Sequence, residues 1–165
     1  MIAAASGIDV SLAARARLAD LYGAYDDTLN DDELERWPSL FTEDCVYKIL
    51  PRENHERGLP VAVIWCESRA MLHDRVVALR ETALYAPRIV RRMTSGIRVR
   101  EADGNGWRLT ANFVMFETLQ NQPSTVFLCG RGLDRVVDEA GTLRFAERVF
   151  VYDSTIIPAS LVYPI

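Results

Sequence analysis

The sequence is poor in the residues that hold metals. It has two histidines, His55 and His73, and three cysteines, Cys45, Cys66 and Cys129, in 165 residues. An odd number of scattered cysteines, with no Cys-x-x-Cys, argues against a disulfide framework or a zinc ribbon. A Rieske centre needs paired Cys-x-His and Cys-x-x-His units. Cys45-Val-Tyr47, Cys66-Glu-Ser68 and Cys129-Gly-Arg131 supply neither. A facial iron site would have to use both histidines, and these fall in a proline-bounded loop and on an expected helix. There is no Gly-x-Ser-x-Gly and no glycine-rich phosphate loop. The net charge of −4 denies the chain the basic footprint that nucleic acids and anionic membranes require. No apolar run approaches the ~18 residues of a membrane span. The first residues lack the charged region of a signal peptide. Cytoplasm is the expected compartment.

What remains is an ordinary globular composition, 49% hydrophobic and 25% charged. One domain over 1–165 is expected, with about residues 1–10 open to disorder. From Asp9 or Ser11, either a good cap, a helix is expected to about Thr28. Its Leu18, Leu21, Tyr22, Tyr25 and Leu29 share one face. Asn30 offers a cap for a short helical turn through Asp31–Arg36, which Pro38 limits. Cys45–Leu50 and Val61–Trp65 read as strands around a polar loop, 51–60. Ser68 starts a second helix to about Leu84, with Leu72, Val76, Leu79 and Ala83 on one face.

The second half changes period. Ile97 and Val99 alternate with Arg98 and Arg100, and Asp103–Gly106 is a hairpin turn. Trp107, Leu109, Ala111, Phe113 and Met115 face one way. Further turns at Asn121–Ser124 and Asp138–Gly141 separate the strands Thr125–Val137 and Leu143–Tyr152. Gly130 and Gly132, inside a strand, signal a bend. The expected class is α+β: helices first, then a four-stranded antiparallel meander that wraps them like a cone.

Such a cone could enclose a pocket, with Tyr25, Asp26, Asp27 and His55 as candidates for acid–base chemistry in an isomerase or dehydratase. A binding-only module of the same shape is a third possibility. Other features point outward. Arg88, Arg91 and Arg92 cluster, as do Arg144 and Arg148, and arginine is enriched at interfaces. In the last strand Phe145, Val149 and Val151 are expected on one face, Phe150 and Tyr152 on the other. Segment 156–165, with Tyr163, is apolar and should dock on a partner or cover its own sheet. Arg88, Arg91, Arg92, Arg144, Arg148, Tyr152 and Tyr163 are therefore the interface candidates.

Four segments carry a family resemblance: Tyr22-Gly-Ala-Tyr-Asp26 with Trp37 and Phe41-Thr-Glu-Asp-Cys-Val-Tyr47; Glu53-Asn-His-Glu-Arg-Gly-Leu-Pro60; Glu67-Ser-Arg-Ala-Met-Leu-His-Asp-Arg75 with Ala78-Leu-Arg80; and Glu147-Arg-Val-Phe-Val-Tyr-Asp-Ser-Thr155. Over about Leu18–Ile165 the chain resembles the small (beta) subunits of aromatic-ring-hydroxylating dioxygenases, the Rieske non-heme iron oxygenases. It is most similar to those acting on aromatic acids such as terephthalate or salicylate. Arg91-Arg92 stands where many relatives have Arg-His. The resemblance implies a nuclear-transport-factor-2-like roll and a hexamer of three large (alpha) and three small subunits. It implies that the Rieske [2Fe-2S] cluster and the mononuclear iron sit on the large subunit. Electrons would then arrive from a reductase or ferredoxin. This chain would hold no catalytic, cofactor or metal residue and would serve as a scaffold.

Overall fold

A computed structural model describes residues 10–82, 86–157 and 160–165. Helix α1, Leu12–Asn30, opens the fold. The Ser11 side chain caps it, accepting from the Ala14 amide at 3.1 Å. The alternative cap, Asp9, lies outside the described residues. Leu18, Leu21, Tyr22, Tyr25 and Leu29 are buried, as their spacing predicts. Each such burial is worth about 1.5–3 kcal/mol, so this face, more than helix propensity, seats α1.

The next stretch departs from expectation. Asn30 ends α1 and does not cap a new helix. Its carboxamide instead accepts from the Arg92 amide at 2.7 Å and donates to the Arg92 carbonyl at 3.0 Å. The helical turn comes later, a 3-10 turn at Trp37–Leu40 with Pro38 near its start. Strand β1, Phe41–Pro51, follows, then a short helix α2, Arg52–Glu56, within the expected loop. Strand β2 is only Ile64–Cys66. Helix α3, Arg69–Glu81, is capped by Ser68 and buries Leu72, Val76 and Leu79. Ala83 and Leu84 lie outside the described residues.

The strands β3 (Arg88–Asp103), β4 (Gly106–Leu119), β5 (Thr125–Glu139) and β6 (Thr142–Tyr152) form the expected meander. It belongs to a larger six-stranded sheet, ordered β2-β1-β6-β5-β4-β3. The meander continues through β1, which runs parallel to β6. The helices α1 and α3 pack inside the curved sheet, giving the nuclear-transport-factor-2-like roll.

Two of the sheet's bulges decide which side chains of β6 and β3 enter the cone. In β6, Phe145 pairs with Val136 and Glu147 with Arg135, so Ala146 is an extra residue. The alternation slips by one there, and every later side chain changes face. Phe145, Arg148, Phe150 and Tyr152 therefore point inward; Val149 and Val151 point outward. This corrects the expectation that Phe145 shares a face with Val149 and Val151. The second bulge lies in β3 between Ser95 and Arg98. Gly96 supplies the positive φ, +61°, that it requires. Val90, Arg92 and Thr94 face inward before it, Ile97 and Val99 after it.

Gly130 in β5 marks a close approach of two strands. Gly130 lies so close to β6 that a Cβ there would run into the Val151 carbonyl oxygen. The outward apolar residues of β6 are also used. Val149 and Val151 form a small second cluster with Leu50, joined by Ala62 and Leu133. Both faces of β6 are thus covered by the chain itself.

Candidate functional site

The interior of the cone is built around Arg148. Strand β6 carries it inward because of the Ala146 slip, and its side chain is 1% exposed. The guanidinium carbon lies 3.7 Å from the Tyr25 ring centre, 4.3 Å from Phe145 and 4.9 Å from Tyr22 and Phe150. Four aromatic rings thus solvate the cation in place of water. Asp134, on β5 opposite Arg148, is 3.9 Å from its Nε and accepts from the Tyr22 hydroxyl at 2.5 Å. Burial pushes the Asp134 carboxyl above its usual range, while Arg148 and the Tyr22 hydroxyl pull it back. Burial works to lower Arg148, but Asp134 and the tyrosines outweigh it and keep the guanidinium charged. Tyr22 is raised well above an ordinary tyrosine, by burial first and by Asp134 second.

A second polar group lies on the β3 side. Asp26 accepts from the Thr94 amide at 2.8 Å and its hydroxyl at 3.0 Å. Burial raises its pKa. Arg92, 4% exposed, donates through Nε and Nη2 to the Pro164 carbonyl at 2.9 and 2.6 Å, and through Nη1 to Leu29 at 3.1 Å. The Tyr25 hydroxyl donates to the main-chain oxygen of Ile165. The apolar segment 161–165 therefore covers the inside of its own roll.

The four acid–base candidates do not converge. Tyr25 is fully buried and its hydroxyl is engaged by Ile165. Asp26 is held by Thr94, and Asp27 is exposed beside it. His55 is exposed on α2, which packs on β1 and β6 and does not touch α1. It lines open hollows on the outer side of the sheet, one of about 230 Å³ with Arg52, Arg131 and Asp153. The adjoining hollow, about 420 Å³, adds Lys48, Arg100, Arg108 and Glu147.

The donor set does not fit an iron–sulfur cluster or a facial iron site. Cys45 and Cys66 are buried, and burial pushes the Cys45 thiol up to about 11, away from the thiolate a cluster needs. Cys129 is exposed on a different strand, and both histidines are exposed on separate helices. Among the described residues, no three His, Cys, Asp or Glu side chains gather as ligands. No described helix is long and apolar enough to cross a membrane.

The interface candidates divide. Arg92, Arg148 and Tyr152 are core residues whose polar groups or rings face inward. This corrects the interface expectation for these three: a run of arginines on an alternating strand resembles a solvated edge, and the Ala146 bulge that turns Arg148 and Tyr152 inward carries no sequence mark. Arg88 pairs with Glu117 at 2.6 Å, both nearly covered. Arg144 pairs with Glu139 at 3.0 Å and donates to the Ser39 carbonyl. Tyr163 is half-buried, and Arg91 is exposed.

Two exposed apolar patches escaped the sequence reading. Ile89 and Met93 on β3 are 65% and 56% exposed, and Val126, on β5 across the intervening β4, is 55% exposed. The register sets Met93 beside Val114, and Phe116 beside Arg91 and Val126. At the opposite edge Leu59, Val61, Val63 and Trp65 are exposed at every second residue, with the Lys48 ammonium 3.7 Å above the Trp65 ring. That period of two was legible; its outward direction was not.

A family profile described as "Ring hydroxylating beta subunit" matches residues 27–159. The chain is 38% identical over 145 residues to the anthranilate 1,2-dioxygenase small subunit of Burkholderia cepacia, covering 88% of this chain and 90% of that one. It is 31% identical over 149 residues to terephthalate 1,2-dioxygenase, terminal oxygenase component subunit beta 1, of Comamonas sp, covering 90% and 97%. A solved structure from Novosphingobium aromaticivorans, assigned as the beta subunit of an aromatic-ring-hydroxylating dioxygenase, superposes with a TM-score of 0.86 at 35% identity. That match covers 95% of this chain and all of the other.

Proposed function

The chain belongs to the ring hydroxylating beta subunit family, and from that membership we propose that it is the non-catalytic scaffold of its dioxygenase. The observation that carries the reading is the filled cone. In this roll the interior is the natural place for a substrate, and here Arg148, its four rings and segment 161–165 fill it. What the chain offers to other molecules is its outer surface: Arg91, with Ile89, Met93 and Val126 at one edge and Val61–Trp65 at the other.

On this reading the chain binds the large (alpha) subunit, in a hexamer of three large and three small subunits, in the cytoplasm. The Rieske cluster and the mononuclear iron reside on the large subunit and are reduced through a reductase or ferredoxin. The reaction is oxidation of an aromatic acid, which the anthranilate and terephthalate relatives support. Arg88, paired with Glu117 on β4, holds the β3 end beside Arg91 at this interface.

Purifying the chain alone and measuring iron, sulfide and visible absorption tests the reading. It predicts no stoichiometric metal and no cluster spectrum. A stoichiometric iron–sulfur signal contradicts it. So does turnover by the isolated chain of a small carbonyl or hydroxyl compound, abolished by Asp26→Ala, which would mark a pocket isomerase or dehydratase. Co-expression with the large subunit should give one complex on a sizing column.

A further inference from the structure

The segment that fills the cone is held as a ligand is held. Two consecutive main-chain oxygens receive a convergent set of donors. The Pro164 oxygen takes both Nε and Nη2 of Arg92, at 2.9 and 2.6 Å. The Ile165 oxygen takes the Tyr25 hydroxyl, with the Tyr47 hydroxyl at 3.4 Å. The Ile165 amide donates to Tyr47 at 2.9 Å, and the Val162 oxygen takes Arg75 at 2.8 Å. Tyr25, Tyr47 and Arg92 are all buried, so these donors have no water to turn to. The walls around them are flat and apolar. The Trp37 and Phe150 rings stand 5.2 and 5.9 Å from Tyr47, and Phe41 lies 6.1 Å from Tyr25. Ile165 is 2% exposed and belongs to the same core cluster as these rings.

A forked cation, two hydroxyls and an aromatic wall are complementary to a planar molecule with a carboxylate at one end. We propose that residues 161–165 are an internal plug, and that the Tyr25–Tyr47–Arg92 pocket beneath them takes a small aromatic carboxylate when the plug is withdrawn. The plug is then what separates this scaffold from a pocket protein of the same shape. Its local concentration is fixed by the chain, so a free carboxylate does not displace it. The proposal starts from the same filled cone as the scaffold reading, but its test reads ligand binding and not assembly or metal content.

The test is calorimetric titration of benzoate into the full chain and into Ile165→Lys. A second cation beside Arg92, in an apolar site, expels the segment. Benzoate should give no saturable binding to the full chain. It should bind Ile165→Lys one to one, and benzyl alcohol should not. Adding Tyr25→Phe and Tyr47→Phe should weaken that binding at least tenfold. A chain lacking residues 161–165 should behave as Ile165→Lys does. Equal binding by the full chain overturns the proposal, as does a folded Ile165→Lys that ignores benzoate. If both variants lose their cooperative melt, the segment is an ordinary part of the core and the proposal fails.

Discussion

Arg91 and Arg92 are neighbours on one strand and end in opposite surroundings. Arg92 turns inward and spends three donors on main-chain carbonyls; Arg91 faces solvent between Ile89 and Met93. The same contrast runs through the whole sheet. Its inner face is closed: the Arg148 cation meets rings, Asp134 and Asp26 accept from hydroxyls, and the chain's own segment fills the space, while Arg148 Nε and Nη1, Asp134 Oδ1 and Trp37 Nε1 are left without hydrogen-bond partners. Its outer face keeps exposed apolar side chains at both edges. A buried face of this kind makes a stable monomer, while the exposed one is free to serve a partner. The two faces should therefore answer to different measurements, folding for the first and assembly for the second.

The largest effect on folding is expected at Arg148. Arg148→Ala leaves Asp134 without its cation and empties the ring cage, so it should cost about 3–5 kcal/mol in urea unfolding. Arg148→Met keeps the volume and should cost less. A loss below about 1 kcal/mol for Arg148→Ala would break the contrast between the faces. Next comes Gly130→Ala, where the new methyl meets the Val151 carbonyl; about 1–3 kcal/mol is expected. Tyr22→Phe removes the hydroxyl that Asp134 accepts and should cost about 1–3 kcal/mol.

Asp26 gives a smaller, pH-dependent effect. Its folded pKa is raised by burial, so the folded chain holds that proton more tightly than the unfolded chain. Its contribution is most favourable below the ordinary carboxylate pKa and is lost as pH rises through the raised value. Relative to Asp26→Asn, the wild type should lose stability as pH rises from the ordinary carboxylate pKa through the raised one; the opposite slope would show that Thr94 holds the ionised form better than burial opposes it. Smallest of all is the outer face. Arg91→Ala and Met93→Ser should change stability by under about 0.5 kcal/mol, yet weaken co-purification with the large subunit.

Much of the fold was legible because local signals were strong. Ser11 and Ser68 cap their helices, Asp103–Gly106 turns a hairpin, and Leu109–Met115 alternate. The place of β1 was not legible, since its parallel pairing with β6 joins distant segments. Asn30 misled because a good local cap was claimed by a distant backbone. The site was less legible than the fold. Gly96 marks its bulge by its residue type; Ala146 does not, and that one slip moves Arg148 from a surface charge to the centre of the core. The rings that make this possible, Tyr22, Tyr25, Phe145 and Phe150, were each foreseen as apolar, but not as a cage.

The central claim is that the outer face serves assembly and the inner face serves the fold. Hydrogen exchange of this chain, alone and with the large subunit, tests it most directly. The account predicts added protection in residues 59–66 and 86–93, with exchange in α1 and residues 145–152 unchanged. Protection confined to the interior, or none while a complex forms, would contradict it.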